Sequence, residues 1–367
     1  MTQIQQYIFT LTFYLDIYLC ALYIVGYYGL HNKGEEHIIE TTMEKVRREI
    51  ELCDAYSGCV VMHSLSGGTG SGLGSKLIEM LRDQYPMNHL MSCTFAPHAS
   101  GESPLQNYNA LLTLSTLQRN TDCVILTHND DVLSRLQKSK ESVSFTNIND
   151  NIAAALCGVF LPTDSLKPKS GISIGTEPWE MMRSICPMPG NKFVQLNHIS
   201  RSKLSWESMV TQLLHSLKRH DAEGKHVSFI GIVTMFLKSE CTMIHVVQCK
   251  FSSIASLAVG RGEGSVAFPQ AVKSSERKLR SAYGFVPWNP FPLDVWTGSS
   301  VGKFPSVTVA SNHGSIVEYL DLVRQRSKVK HAAGAYLHWY WRYGASEVKA
   351  KITFFVAVLF IVLVYQI

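Results

Sequence analysis

His63-Ser64-Leu65-Ser66-Gly67-Gly68-Thr69-Gly70-Ser71-Gly72 follows the apolar run Cys59-Val60-Val61-Met62 and leads into a helical pattern at 72–83 carrying Leu73, Leu77, Met80 and Leu81. An apolar run, a glycine-rich turn and an amphipathic segment, in that order, predict a buried strand passing tightly into a helix. Glycine lets backbone approach an anion closely. A helix N-terminus turns free N–H groups and the positive end of its dipole toward a phosphate. Thr69 and Ser71 add hydroxyl donors, so Gly67, Gly68, Thr69, Gly70, Ser71 and Gly72 are the candidate phosphate contacts. The stretch has no lysine of the GxxxxGK[ST] type, and glycines at 70, 72 and 74 are too closely spaced for GxGxxG.

The alternation continues on both sides of this loop. Upstream, Ile39, Met43, Val46, Ile50 and Cys53 fall at helical spacing over 38–53, with charged residues on the other faces. Downstream come a strand-like run from Leu90 to Ala96, a helix over about 105–118 and the run Val124-Ile125-Leu126. Strands alternating with helices predict a parallel sheet wrapped by helices. Residues 161–178 are rich in Pro, Gly, Ser and Lys and read as a hinge. Beyond about 190 the runs shorten (Phe229 to Val233, Val307 to Ala310), as in an α+β unit.

Composition narrows the class. Hydrophobic residues make up 46% of the 367 and charged residues 17%, below the ~25% charged of an average soluble domain. This is too apolar for a disordered chain and too mixed for a multi-span membrane protein. The 34 basic and 29 acidic residues leave a charge of +5 spread along the chain, which does not point to nucleic acid. Nine cysteines form no CxxC pair and read as thiols of a reducing compartment.

The ends have a different texture. Residues 7–30 are almost wholly apolar, but no Lys or Arg precedes them as a signal peptide requires, and Asp16 lies near the centre. A second apolar run, 352–367, follows Lys349 and Lys351 and is short for a membrane span, which leaves a tail anchor open. Helices packed on the body, or misjoined coding sequence, are the other readings of both ends. His215, His220 and His226 do not share a helix face and make a poor metal site. Gly260-Arg261-Gly262-Glu263-Gly264 reads as a strand-end turn.

The stretch 63–72 closely resembles the signature loop of the tubulin superfamily, with Ser66 where the family usually has Gly. Gly101-Glu102 with Gln106-Asn107-Tyr108-Asn109 is similar to its ribose loop. Asn129-Asp130-Asp131-Val132-Leu133 resembles its guanine-side loop, and Ser144 to Asn149 the start of its central helix. Ala335-Tyr336-Leu337-His338-Trp339-Tyr340 matches a motif near the end of the fold. The Ser-Gly-Gly-Thr variant, Arg261-Gly262, Trp296 and Ser311-Asn312 resemble the delta branch, with epsilon and zeta as neighbours.

This resemblance implies an α/β, tubulin/FtsZ-like fold. A partial GTPase domain at 27–160 follows the apolar segment 1–26; a hinge and loop at 161–190 lead to an α+β domain at 191–345 and the apolar tail 346–367. It also implies GTP as ligand, with Glu102 and Gln106 at the ribose and Asn129, Phe145 and Asn149 at the guanine. An Asn amide can pair with a base edge and Phe145 can stack on it. Glu180, or Glu177 one turn away, would orient water against a neighbouring subunit's nucleotide, giving a weak GTPase that depends on head-to-tail contact. The family's first strand–helix unit, the loop that holds magnesium and phosphates and the next phosphate-side loop have no counterpart, so the missing portion is encoded elsewhere or the chain is a degenerate form. Magnesium is expected from the family, but the loops bearing its ligands are absent.

The expected function is a GTP-binding cytoskeletal protein of the cytoplasm, serving centriole or basal body, cilium and microtubule organisation. Its expected partners are other tubulins or centriolar proteins. A nucleotide-free interaction module and a membrane-anchored nucleotide-binding enzyme are the alternatives.

Overall fold

The computed structural model describes residues 36–98, 103–138, 142–163, 178–202, 204–215 and 252–342. Helix α1 (Glu36–Glu51) precedes strand β1 (Gly58–Ser64), which the glycine turn joins to α2 (Gly74–Gln84). Then follow β2 (His89–Ala96), α3 (Gln106–Asn120), β3 (Cys123–His128), α4 (Asn129–Gln137) and α5 (Phe145–Phe160). After α6 (Pro178–Ile185) come β4 (Phe193–Ser200), α7 (Trp206–His215), β5 (Ser253–Arg261), α8 (Phe268–Ser274) and α9 (Glu276–Tyr283). The described chain closes with β6 (Leu293–Gly298), β7 (Ser306–His313), α10 (Ile316–Ala332) and α11 (Leu337–Arg342).

Among the described residues, seven strands form one sheet in the order β1-β2-β3-β4-β7-β5-β6. The first four run parallel, as they must when each is reached through a helical crossover. β7 lies antiparallel between β4 and β5, and β6 pairs parallel with β5. The fold is α/β, as the alternating runs predict. Helices α1, α2, α3 and α10 cover one face of the parallel half, where Ile39, Met43, Ile78, Leu111, Leu114 and Leu320 meet. The opposite face is covered by α5 and α6. Helix α3 is buried from Gln106 through Gln118, so it cannot show the one-sided polar pattern of a surface helix.

A helix follows Gly260–Gly264 where the sequence predicts only a turn. Gly262 and Gly264 adopt positive φ (135° and 71°), and a single 3₁₀ turn, Ser265–Ala267, feeds α8. Seven residues are too few to display a helical period. Arg261, fully buried, donates to the carbonyls of Gly158 (2.8 Å), Pro162 (2.9 Å) and Leu161. Its charge thus closes the negative end of α5. The apolar runs 7–30 and 352–367, the run Phe229 to Val233, Glu102 and Glu177 lie outside the described residues. Among the described residues no helix is long and apolar enough to cross a membrane.

Candidate functional site

The candidate residues gather where parallel strands end. Residues 69–73 form one π-helical turn that runs directly into α2, with Gly68 already helical (φ −64°, ψ −44°). A Cβ on Gly70 would sit 2.6 Å from the Ser64 carbonyl oxygen, so the turn presses against the end of β1 only because residue 70 is glycine. Gly67 differs. It is exposed, has no positive φ, and a Cβ there would meet nothing within 4 Å. Neither packing nor backbone conformation requires glycine at 67, and its openness suits close approach by a ligand.

Within the loop, Ser71 is fully buried, and both its N–H (3.0 Å) and its hydroxyl donate to the Gly67 carbonyl. That hydroxyl shapes the loop. Thr69 is half-buried at the rim. Ser66 donates its N–H to Ser64 Oγ (3.3 Å), and its carbonyl accepts from Asn109 Nδ2 (3.0 Å) on α3. Behind the loop His63 is buried, its Nε2 2.9 Å from Ser92 Oγ, and burial lowers its pKa to about 4. The imidazole there is neutral near pH 7 and serves packing.

Of the described ribose- and guanine-side candidates, Gln106 and Asn129 follow β2 and β3, while Phe145 and Asn149 are on α5. Gln106 begins α3 and lines a cavity of about 250 Å³ between that helix, His98, His128, Asp130 and α10. In that cavity His128 Nε2 and the Tyr319 hydroxyl, both buried, have no hydrogen-bond partner among the described residues, and their rings lie 4.3 Å apart. Asn129 is the first residue of α4, immediately after β3. His98 joins the two loops: its Nδ1 is 2.6 Å from Asp130 Oδ1, and its ring meets the edge of Phe145 at 6.3 Å. No motif in the sequence marks His98.

Phe145 and Asn149 stand one turn apart on α5, both exposed, Phe145 by 72%. Residues at i and i+4 share a face, so a bare aromatic ring and an amide are presented together. Asn147 is occupied elsewhere, exchanging hydrogen bonds with Ser144 in a capping box.

Glu180 is not part of this assembly. Its neighbour Trp179 stacks on His89, the first residue of β2, whereas the glycine turn and the His98 and Asn129 loops follow the last residues of their strands. Eight residues of β2 at ~3.3 Å each separate the two ends by about 25 Å. Glu180 Oε1 accepts from Arg183 Nη1 (3.2 Å), and its buried Oε2 has no partner among the described residues. Among the described residues no group of three His, Cys, Asp or Glu side chains could hold a metal ion, so the magnesium implied by the resemblance finds no ready protein cage there.

Residues 25–137 match the GTPase domain of the Tubulin/FtsZ family. The chain is 30% identical over 340 residues to the tubulin delta chain of Homo sapiens, covering 87% of this chain and 72% of that one. It is 28% identical over 344 residues to the tubulin delta chain of Canis lupus familiaris and 27% over 338 to that of Mus musculus, with the same coverage. A parallel sheet with a glycine turn at its strand ends, together with likeness along most of the chain, shows that this protein belongs to the tubulin superfamily and is delta-like in sequence.

Proposed function

We propose that this tubulin-like cytoskeletal protein binds GTP at the strand ends, with the turn at 67–72 around the phosphates, Gln106 and Glu102 toward the ribose, and Asn129, Phe145 and Asn149 toward the guanine. The observation that carries the reading is Gly67, an exposed glycine that neither packing nor φ explains, at the entry of a helix-initiating turn. Backbone N–H groups at such a helix start favour an anion. The exposed Phe145 ring supplies an apolar surface for a base.

The position of Glu180 at the other end of the sheet supports a composite reaction. The carboxylate, next to Trp179 at the start of β2, would orient water only against the nucleotide of a neighbour stacked head to tail. GTP supplies the scissile phosphate; this chain's residues orient it and position water. The domain division at 27–160 and 191–345, the head-to-tail partners among tubulins or centriolar proteins, and a location at centriole, basal body or cilium belong to the same proposal. Likeness to proteins named tubulin delta chain supports the partners and location as part of this proposal.

The test is calorimetric titration of the purified full chain with GTP, ATP and guanosine. Saturable binding of GTP in preference to ATP supports the reading. No binding of GTP at millimolar concentration by a folded chain would overturn it and favour the interaction module.

A further inference from the structure

We propose that Tyr340, on α11, the last described helix, is a positioning residue for the glycine loop and acts through Asn109; this rests on the nucleotide reading above. The Asn109 side chain is fully buried between them. Its Nδ2 donates to the Ser66 carbonyl at 3.0 Å, and its Oδ1 accepts from the Tyr340 hydroxyl at 2.8 Å. Ser66 immediately precedes Gly67, so this relay ends at the mouth of the turn.

The direction of the relay is set by chemistry. An amide carries one acceptor and one donor end, and a phenol facing a carbonyl-type oxygen donates to it. The Tyr340 hydroxyl therefore holds Oδ1 on its own side and turns Nδ2 toward Ser66. A flipped amide would set oxygen against the Ser66 oxygen, two acceptors in contact. In a buried site that mismatch is costly.

The surroundings show that α11 is docked to do this. The Tyr340 ring meets the edge of Tyr108 at 5.4 Å within a cluster of Leu105, Leu112 and Leu337. Tyr108 Oη donates to the Ala335 carbonyl (3.1 Å), and Lys330 Nζ donates to the Pro104 carbonyl (2.6 Å). The chain enters α11 through Tyr336 at φ 61°, a left-handed conformation that is unfavourable for a non-glycine residue. That conformation persists because the contacts made by α11 offset it. Thus the last described helix holds both the phosphate turn and the segment before α3. Coupling of this kind is reciprocal: nucleotide at the loop would stabilise the docked α11.

The experiment compares the full chain with Tyr340→Phe, which keeps the ring and removes only the hydroxyl. Two readouts are taken: affinity for GTP and for guanosine, and amide hydrogen exchange of the peptide spanning 64–72 without ligand. The expected result is an affinity for GTP lower by about tenfold, guanosine binding unchanged, and faster exchange at 64–72. In an Asn109→Ala background the same change has no further effect. Equal losses for GTP and guanosine, or affinity within twofold of the parent with unchanged exchange, would overturn the proposal. If the parent chain binds no GTP, the nucleotide reading falls, and loop exchange alone decides the relay: faster exchange in Tyr340→Phe upholds it and unchanged exchange refutes it.

Discussion

Gly70 and Ser64 approach so closely that a methyl group on residue 70 would lie 2.6 Å from the Ser64 carbonyl oxygen and 2.8 Å from its amide nitrogen. Three residues away, Gly67 faces open space. Two glycines of one motif therefore have different physical reasons, and this separates packing from ligand approach. Gly70→Ala is expected to lower stability by about 2–3 kcal/mol, since backbone must move, and to lose nucleotide with it. Gly67→Ala is expected to keep the parent Tm and weaken GTP binding at least tenfold. A Gly67→Ala variant with full GTP affinity in the calorimeter would remove Gly67 from the site.

Phe145 is a large apolar side chain left 72% exposed on a helix whose other face is core. Phe145→Ala removes almost no packing, so thermal melting is expected to shift by no more than the roughly ±0.5 kcal/mol of an ordinary surface change. Affinity for guanosine, which lacks phosphates, is expected to fall about tenfold through the lost stacking. Asn149→Ala is expected to reduce preference for guanosine over adenosine. Parent-like binding of both nucleosides to both variants would show that the base lies elsewhere.

Glu180 sits at the far end of the sheet with one buried carboxylate oxygen unpartnered among the described residues. Glu180→Gln is expected to leave GTP affinity of the dilute chain unchanged. In concentrated protein, where subunits stack, turnover is expected to fall about 100-fold. Hydrolysis that scales linearly with subunit concentration, equally in parent and variant, would mean that no neighbour completes the site.

Three histidines, His63 and His313 buried and His198 half-buried, set an acid limit. Burial lowers the pKa of His63, His198 and His313 to about 4 each. In the unfolded chain each titrates near 6.5, so between pH 6.5 and 4 the unfolded state binds protons that the folded state does not. Stability is therefore full above about pH 6.5 and falls with pH by on the order of 1 kcal/mol per histidine per pH unit. Urea midpoints measured from pH 7.5 to 5 are expected to decline, and His198→Gln to flatten the decline. Midpoints independent of pH in this range would place these imidazoles in water.

The elements most readable from sequence are those whose local pattern matches their burial. Ile39, Met43 and Val46 mark α1 because only one face of that helix meets the core. Residues 124–126 mark β3 because an inner strand of a parallel sheet is apolar on both faces. The run 59–62, which reads as a buried strand, instead forms β1 at the edge of the described sheet, where Cys59, Val60 and Val61 are half-buried and Met62 is 51% exposed. Helix α8 was not readable, since two positive-φ glycines and seven residues leave no period to detect. The turn at 67–72 is readable as a strand-to-helix turn because its glycines, hydroxyls and following helix are contiguous.

By itself the amino-acid sequence determined the α/β class, the glycine turn between β1 and α2, and the likeness to tubulins, because each rests on residues close together in the chain. Only the tertiary structure decided which glycine faces open space, that His98 joins Asp130 to Phe145, that Glu180 lies at the opposite end of the sheet, and that Tyr340 reaches Ser66 through Asn109. Asn109 and Tyr340 are 231 residues apart, and no local periodicity encodes a hydrogen bond over that separation. It exists because burying the apolar faces of α3, α10 and α11 brings their polar groups into one interior, where each must find a partner.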